Sequence, residues 1–187
     1  MSEHVSFTSY SMKNDAKAGR TWFDWCVFVD PHSPALPRIK SVEYLLHPTF
    51  PDPRRTATDP SDCFALFSAG WGEFQVNIRI EFTDGTVGNQ PFCLHLVEGG
   101  WPKAKDPEAL PNNGEKVVYA ALKDSSFRWR KFHTITNKCG LPPKQVKNIL
   151  DHFHQQNLAR KAFFLSVDGQ ELWGATSVVG LAPCPQP

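Results

Sequence analysis

The sequence predicts a β-rich N-terminal sandwich joined to a smaller mixed α/β domain. Three features carry this. Over residues 74–82, Phe74-Gln75-Val76-Asn77-Ile78-Arg79-Ile80-Glu81-Phe82, apolar and polar residues alternate at every position. A strand with one face in a core and one in water has this period of two. Further along, Val146, Ile149, Leu150 and Phe153 fall at i, i+3, i+4 and i+7, one face of a helix. Between the two patterns lies Gly99–Gly114, with Pro102, Pro107, Pro111, Asn112 and Asn113 and no apolar period, as a linker has. The predicted boundaries are a sandwich at 1–98, a linker at 99–114, a second domain at 115–180 and a tail at 181–187, with a loose N-terminal end at Met1–Glu3.

In chain order, extended segments are expected at Ser6–Met12, Phe23–Val29, Arg38–Leu46, Cys63–Ala69, Phe74–Phe82 and Pro91–Val97. Thr83-Asp84-Gly85-Thr86 is a turn, its Asp-Gly pair suited to positive φ. Short strands between Pro and Gly turns at this spacing point to an antiparallel sandwich. Helices are expected at Glu115–Leu122, at Arg130–Cys139 with Gly140 as a left-handed stop, and at Pro143–Gln156, where proline suits the first turn. Ala162–Ser166, Asp168-Gly169 and Glu171–Thr176 read as a β-hairpin.

The 187 residues carry a net charge of +1, unevenly spread. Residues 1–110 balance at −4 and residues 111–187 at +5. The split suggests different partners for the two halves, with nucleic acid or an ordinary mixed surface as readings of the basic one. The five cysteines (26, 63, 93, 139 and 184) are odd in number and widely spaced. No C-x-x-C or zinc-ligand spacing occurs, so they read as free thiols in a reducing cytoplasm and no metal or cofactor is expected. Neither a secretory leader nor a run of 18 or so apolar residues is present, so no membrane partner is expected. No G-x-S-x-G, P-loop, H-E-x-x-H or dinucleotide fingerprint occurs, and the expected function is not catalytic.

Two short motifs about 20 residues apart carry the functional reading: Leu46-His47-Pro48-Thr49-Phe50-Pro51-Asp52-Pro53 and Gly70-Trp71-Gly72-Glu73-Phe74. Each sets aromatic and hydrogen-bonding groups on a stiff Pro- or Gly-shaped turn at a strand end, where binding loops concentrate. His47 as a turn-holding residue and Trp71 as a core plug are the plainer alternatives.

These motifs, with Asp24-Trp25-Cys26-Val27-Phe28-Val29 and the alternating strand to Phe82, resemble the YEATS domain, an immunoglobulin-like sandwich that reads acylated lysine. The resemblance runs from about Phe23 to Val97 and is similar to a prokaryotic branch. It implies that His47 and Thr49 touch the acyl-lysine amide, that Phe50 and Trp71 wall the pocket, and that Gly72 gives a backbone N–H to the amide oxygen. The family's further aromatic aligns with Thr21, a departure for which Trp22 or Phe23 would substitute. The implied function is recognition of an acetyl- or crotonyl-type lysine. The alternative is an interaction scaffold whose sandwich has lost that binding.

The helix, helix, helix, hairpin order after residue 115 resembles a winged helix. DNA contacts, if the third helix makes them, would come from Lys144, Gln145, Lys147 and Asn148, since Lys meets phosphate and Gln or Asn pairs with adenine edges. A structural or dimerising role is the other reading.

Overall fold

The computed structural model describes residues 4–14, 19–124 and 127–184. The chain divides into two units, Met1–Trp101 and Pro102–Pro187.

The first unit is a sandwich of two antiparallel sheets. Strands β1 (Phe7–Asn14), β2 (Trp22–Val29) and β5 (Leu66–Gly70) form one, in the order β1-β2-β5. Strands β3 (Ile39–Leu45), β4 (Arg54–Ala57), β6 (Phe74–Phe82) and β7 (Val87–Leu94) form the other, in the order β4-β3-β6-β7. Strands β3, β5 and β6 follow the period of two, whereas β2 is buried on both faces from Trp25 to Val29. On β6, Val76, Ile78, Ile80 and Phe82 are buried while Gln75, Asn77 and Arg79 are exposed. Trp25, Val27 and Val29 of β2 meet Val42 and Tyr44 of β3 in the same core. The buried Tyr44 hydroxyl donates to the Phe64 carbonyl at 2.7 Å, which satisfies its one polar atom.

Three strands differ from the sequence reading: β5 starts at Leu66 instead of Cys63, because Cys63 and Phe64 take left-handed backbone at φ 58° and 55°, and β7 and β4 differ as well. β7 starts at Val87, directly after the turn, instead of at Pro91. The turn itself is as expected: Gly85 sits at φ 83°, and the Asp84 carboxylate accepts from the Thr86 N–H and hydroxyl. Pro91 fits inside β7 because β7 is an edge strand, where a missing N–H breaks no ladder bond. β4 has no counterpart in the sequence reading. Its residues Arg54-Arg55-Thr56-Ala57 have no apolar face, and only pairing with β3 makes them a strand.

Trp101, placed in the linker by sequence, is buried with Phe67 and Tyr10 in the first unit. Most of the remaining linker is structured within the second. Leu110 packs on the second core, and Asp106 accepts from Tyr119 at 2.9 Å and pairs with Lys123. The prolines and asparagines broke the apolar period without freeing the chain from contacts.

In the second unit, α1 (Asn113–Lys123) is capped by the Asn112 side chain, which accepts from the Glu115 N–H at 2.8 Å. β8 (Arg130–Lys131) leads into α2 (Phe132–Cys139), which stops at Gly140 with φ 63°. α3 (Pro143–Gln155) follows, then β9 (Ala159–Lys161), β10 (Leu172–Ala175) and a single turn, α4 (Thr176–Val179). The three short strands pair in the order β8-β10-β9. Val146, Leu150 and Phe153 of α3 bury against Trp173 and Ala175 of β10, as the helical spacing requires.

The hairpin pairs nearer its base than the sequence suggested, Lys161 with Trp173 and Ala159 with Ala175. Phe163, Phe164, Leu165 and Val167 are exposed, so the apolar run that read as strand is loop. The tail reading is replaced at Leu181, whose N–H donates to the Pro102 carbonyl at 2.7 Å. Residues 1–3 and 185–187 of the predicted ends lie outside the described residues. The free-thiol expectation holds at Cys26, Cys93 and Cys139 and fails at Cys63 and Cys184, which are disulfide-bonded. Spacing along a chain does not report oxidation state. No helix among the described residues is long and apolar enough to cross a membrane.

Candidate functional site

The two motifs converge on one cleft of about 550 Å³ at an end of the sandwich. The first loop, leaving β3, supplies His47, Thr49, Phe50 and Pro51. The turn from β5 to β6 supplies Gly70, Trp71, Gly72, Glu73 and Phe74. Trp22, at the start of β2, lines a third side.

The apolar wall has a stated geometry. Phe50 and Phe74 lie 5.3 Å apart between ring centroids, and both meet the buried Trp25 edge-on, at 6.1 and 5.9 Å. These tilted and edge-to-face contacts are the arrangements that aromatic quadrupoles favour. Gly70 permits the close approach: a Cβ there would lie 3.5 Å from Trp25 Nε1 and 3.6 Å from Phe50 Cζ. Trp71 stands at the rim, 57% exposed, with the Arg20 guanidinium 4.4 Å over its ring. It is therefore not a core plug.

The polar side is set by His47 and Thr49. The Thr49 N–H donates to His47 Nδ1 at 3.3 Å, and the Thr49 hydroxyl lies 2.9 Å from the same nitrogen. A backbone N–H only donates, so Nδ1 accepts and its proton sits on Nε2. The hydroxyl then also donates to Nδ1, and a hydroxyl oxygen that donates can still accept a further bond. His47 does hold the turn, as the plainer reading had it, and in doing so it orients Thr49. Across the cleft, the Gly72 N–H donates to no backbone carbonyl among the described residues. An acceptor and a donor thus flank an aromatic slot, the complement of a secondary amide.

Glu73 is held by its neighbours. Its carboxylate accepts from the Leu96 N–H at 2.7 Å and lies 3.5 Å from His95 Nδ1. The Leu96 bond, and then His95, hold its carboxyl below the ordinary value.

Of the residues singled out from sequence, His47, Thr49, Phe50, Trp71, Gly72 and Trp22 line the cleft. Phe23 does not: it packs against the sandwich core. Successive strand residues point to opposite faces, so Trp22 and Phe23 cannot both reach the cleft. Thr21 is exposed. The sequence reading missed Arg55 and Ser68, which also line the cleft. Arg55 lies on the unforeseen β4, and Ser68 carried no signal within an ordinary strand.

Residues 23–88 match the family profile of the prokaryotic YEATS domain. The N-terminal unit carries a YEATS domain. The chain is also similar to the AF-9 homolog proteins of Kluyveromyces lactis, at 44% identity over 108 residues (51% of this chain, 47% of that protein), and of Yarrowia lipolytica, at 30% over 132 residues (59% and 64%). It therefore spans about half to two thirds of the length of these two relatives. Among solved structures, the yeast AF-9 homolog Yaf9 matches at 31% identity with a TM-score of 0.40, covering 49% of this chain and 69% of that one. The Yaf9 YEATS domain bound to H3K27ac matches at 29% identity with a TM-score of 0.38, covering 51% and 77%. The YEATS profile ends before α1, so it leaves the second unit unassigned.

On the second unit, the four candidate DNA-contacting residues are not equivalent. Lys147 pairs with Asp151 one turn away, and its ammonium lies 5.8 Å from the Trp173 ring. Gln145 and Asn148 line a groove with Asn112, Gly114 and Glu115 at the start of α1. Lys144 is exposed.

Proposed function

We propose that the N-terminal YEATS domain binds acylated lysine, of the acetyl or crotonyl type, without catalysing a reaction. The single observation that carries this is the placing of the Thr49 hydroxyl oxygen, able to accept a further bond, and the Gly72 N–H, which meets no backbone carbonyl among the described residues, on a slot walled by Phe50 and Trp71. Acylation turns a lysine ammonium into an amide with one donor and one acceptor. A buried polar group left unpaired costs roughly 1–3 kcal/mol, so both ends of the amide need a partner. An ammonium entering the slot would lose its hydration and face a donor. The flat acyl group stacks on the rings. The cleft is open, with Trp22 along its side and Phe23 in the core, which supports a working pocket over a plugged scaffold. The Yaf9 YEATS domain has been seen bound to H3K27ac and recognising an H3K122suc peptide, which is consistent with this reading.

The test is titration calorimetry of the whole chain against one lysine peptide in unmodified, acetylated and crotonylated forms. Binding of the acylated forms alone, lost in Trp71→Ala, is expected, at micromolar strength or about −6 to −8 kcal/mol. Equal binding of the unmodified peptide sinks the reading.

For the second unit we propose a winged helix that serves packing or protein contact more than DNA reading. The helix, strand, helix, helix, hairpin order supports the architecture. The pairing of Lys147 with Asp151 and the turning of Gln145 and Asn148 towards α1 favour the non-DNA role. Salt-dependent binding to duplex DNA near 50 mM salt, weakened by Lys144→Ala, would reverse that preference.

A further inference from the structure

The second unit holds a groove of about 450 Å³ between the start of α1 and α3. Its lining is polar. Asn112 and Glu115 stand on the α1 side, Gln145, Asn148 and His152 on the α3 side, and Ile149 is the one apolar side chain. Gly114 keeps it open: a Cβ there would lie 3.3 Å from Asn112 Oδ1 and Ile149 Cδ1 and 3.4 Å from Gln145 Nε2.

Glu115 is the unusual member. With Val118, Tyr119 and Leu122 it falls at i, i+3, i+4 and i+7, so a carboxylate takes a core-facing place where an apolar residue is expected. It is only 7% exposed. Yet its carboxylate accepts no hydrogen bond and joins no ion pair among the described residues. At this helical position a glutamate can reach back to the N–H of the cap residue, but no such bond to Asn112 forms. The lysines do not complete it either. Lys123 pairs with Asp106 and Lys147 with Asp151, while Lys116 and Lys144 are exposed and join no ion pair among the described residues. The helix N-terminus eases an anion here, but a buried carboxylate without a partner remains costly. A local rule broken beside an open groove is what a ligand position looks like.

We propose that this groove binds a guanidinium group, the arginine side chain of a partner protein, with Glu115 as its carboxylate. The site is separate from the acyl-lysine cleft and gives the protein-contact reading of the second unit a specific chemistry. A guanidinium is planar, keeps its charge and presents a fork of N–H donors that one carboxylate can take two at a time. It is less strongly hydrated than an ammonium, so it gives up less on entering a narrow groove. The amide oxygens of Gln145 and Asn148 can accept the remaining donors, and Ile149 offers apolar surface to the methylene stem. Glu115 repels phosphate, so the same groove does not suit a nucleic-acid backbone.

The experiment titrates the whole chain with Nα-acetyl-arginine amide, followed by backbone amide NMR shifts, beside the matching citrulline and lysine amides. Saturable shifts at Gly114, Glu115 and Asn148 are expected for the arginine probe, with a dissociation constant of about 1 mM. Citrulline has nearly the same shape without the charge, and it should bind about tenfold more weakly, as should lysine. Glu115→Gln keeps the size and removes the charge. It is expected to lose about tenfold in arginine affinity while melting within about 2 °C of the native chain. Asn148→Ala, at an exposed position of α3, should weaken the arginine probe by about threefold with an unchanged melt. No saturable shift at these amides, equal binding of the citrulline probe, or native affinity in Glu115→Gln each overturns the proposal. So does tighter binding of free arginine than of the blocked form, which would assign the groove to the amino acid instead of a protein side chain.

Discussion

His47 Nδ1 accepts from both the backbone and the hydroxyl of Thr49, at 3.3 and 2.9 Å. One imidazole nitrogen therefore fixes the loop and aims the threonine oxygen. The two residues act as a unit, and their substitution effects should not add.

Thr49→Val keeps the shape and removes the hydroxyl. It is expected to weaken acyl-peptide binding by about tenfold or more, the cost of an amide N–H without an acceptor. Thr49→Ser restores the oxygen and should bind like the native chain. In a double-mutant cycle, His47→Ala with Thr49→Val should lose little more than either alone; full additivity counts against the coupled pair.

Trp71 is exposed at the rim and lies outside the core cluster. Trp71→Ala should abolish acyl-peptide binding while moving the melting temperature by no more than about 2 °C, since little buried surface is lost. Trp25→Ala, fully buried, is the contrasting case and should destabilise the unit by about 3–5 kcal/mol. Thermal melts read beside calorimetry separate the two.

Gly174 sits where β10 passes under α4. A Cβ there would come within 2.5 Å of Val179 Cγ1 and 3.0 Å of the Arg128 carbonyl. Gly174→Ala should therefore cost the second unit about 1–3 kcal/mol through overpacking, seen as a lower midpoint in urea. A change smaller than a few tenths of that range would show that α4 yields without cost.

The Asp106 carboxyl is pulled down to about 2, first by Lys123 and then by Ser177 and Tyr119. Its folded value lies below the unfolded value near 3.8. The stability it contributes is complete above that unfolded value and is lost as pH falls towards about 2. Asp106→Asn should thus be less stable than the native chain near neutral pH and equal to it near pH 2. Melting curves that stay parallel across this window would remove the assignment.

The period of two in β6 and the spacing of Val146, Ile149, Leu150 and Phe153 determined both cores, because burial of apolar faces is a local pattern with a fixed repeat. The turn chemistry of Asp84-Gly85 and the stop at Gly140 were equally local. The loop motifs were legible for the same reason, and His47, Thr49, Phe50, Trp71 and Gly72 came together as their strands paired. What sequence alone left undecided needed a partner far along the chain. β4 is a strand only because Tyr44 pairs with Arg55, and the face that Trp22 or Phe23 presents follows from the register of β2. That the buried Trp25 indole N–H meets no acceptor among the described residues is visible only in three dimensions, since whether a polar group is satisfied depends on what the fold sets beside it.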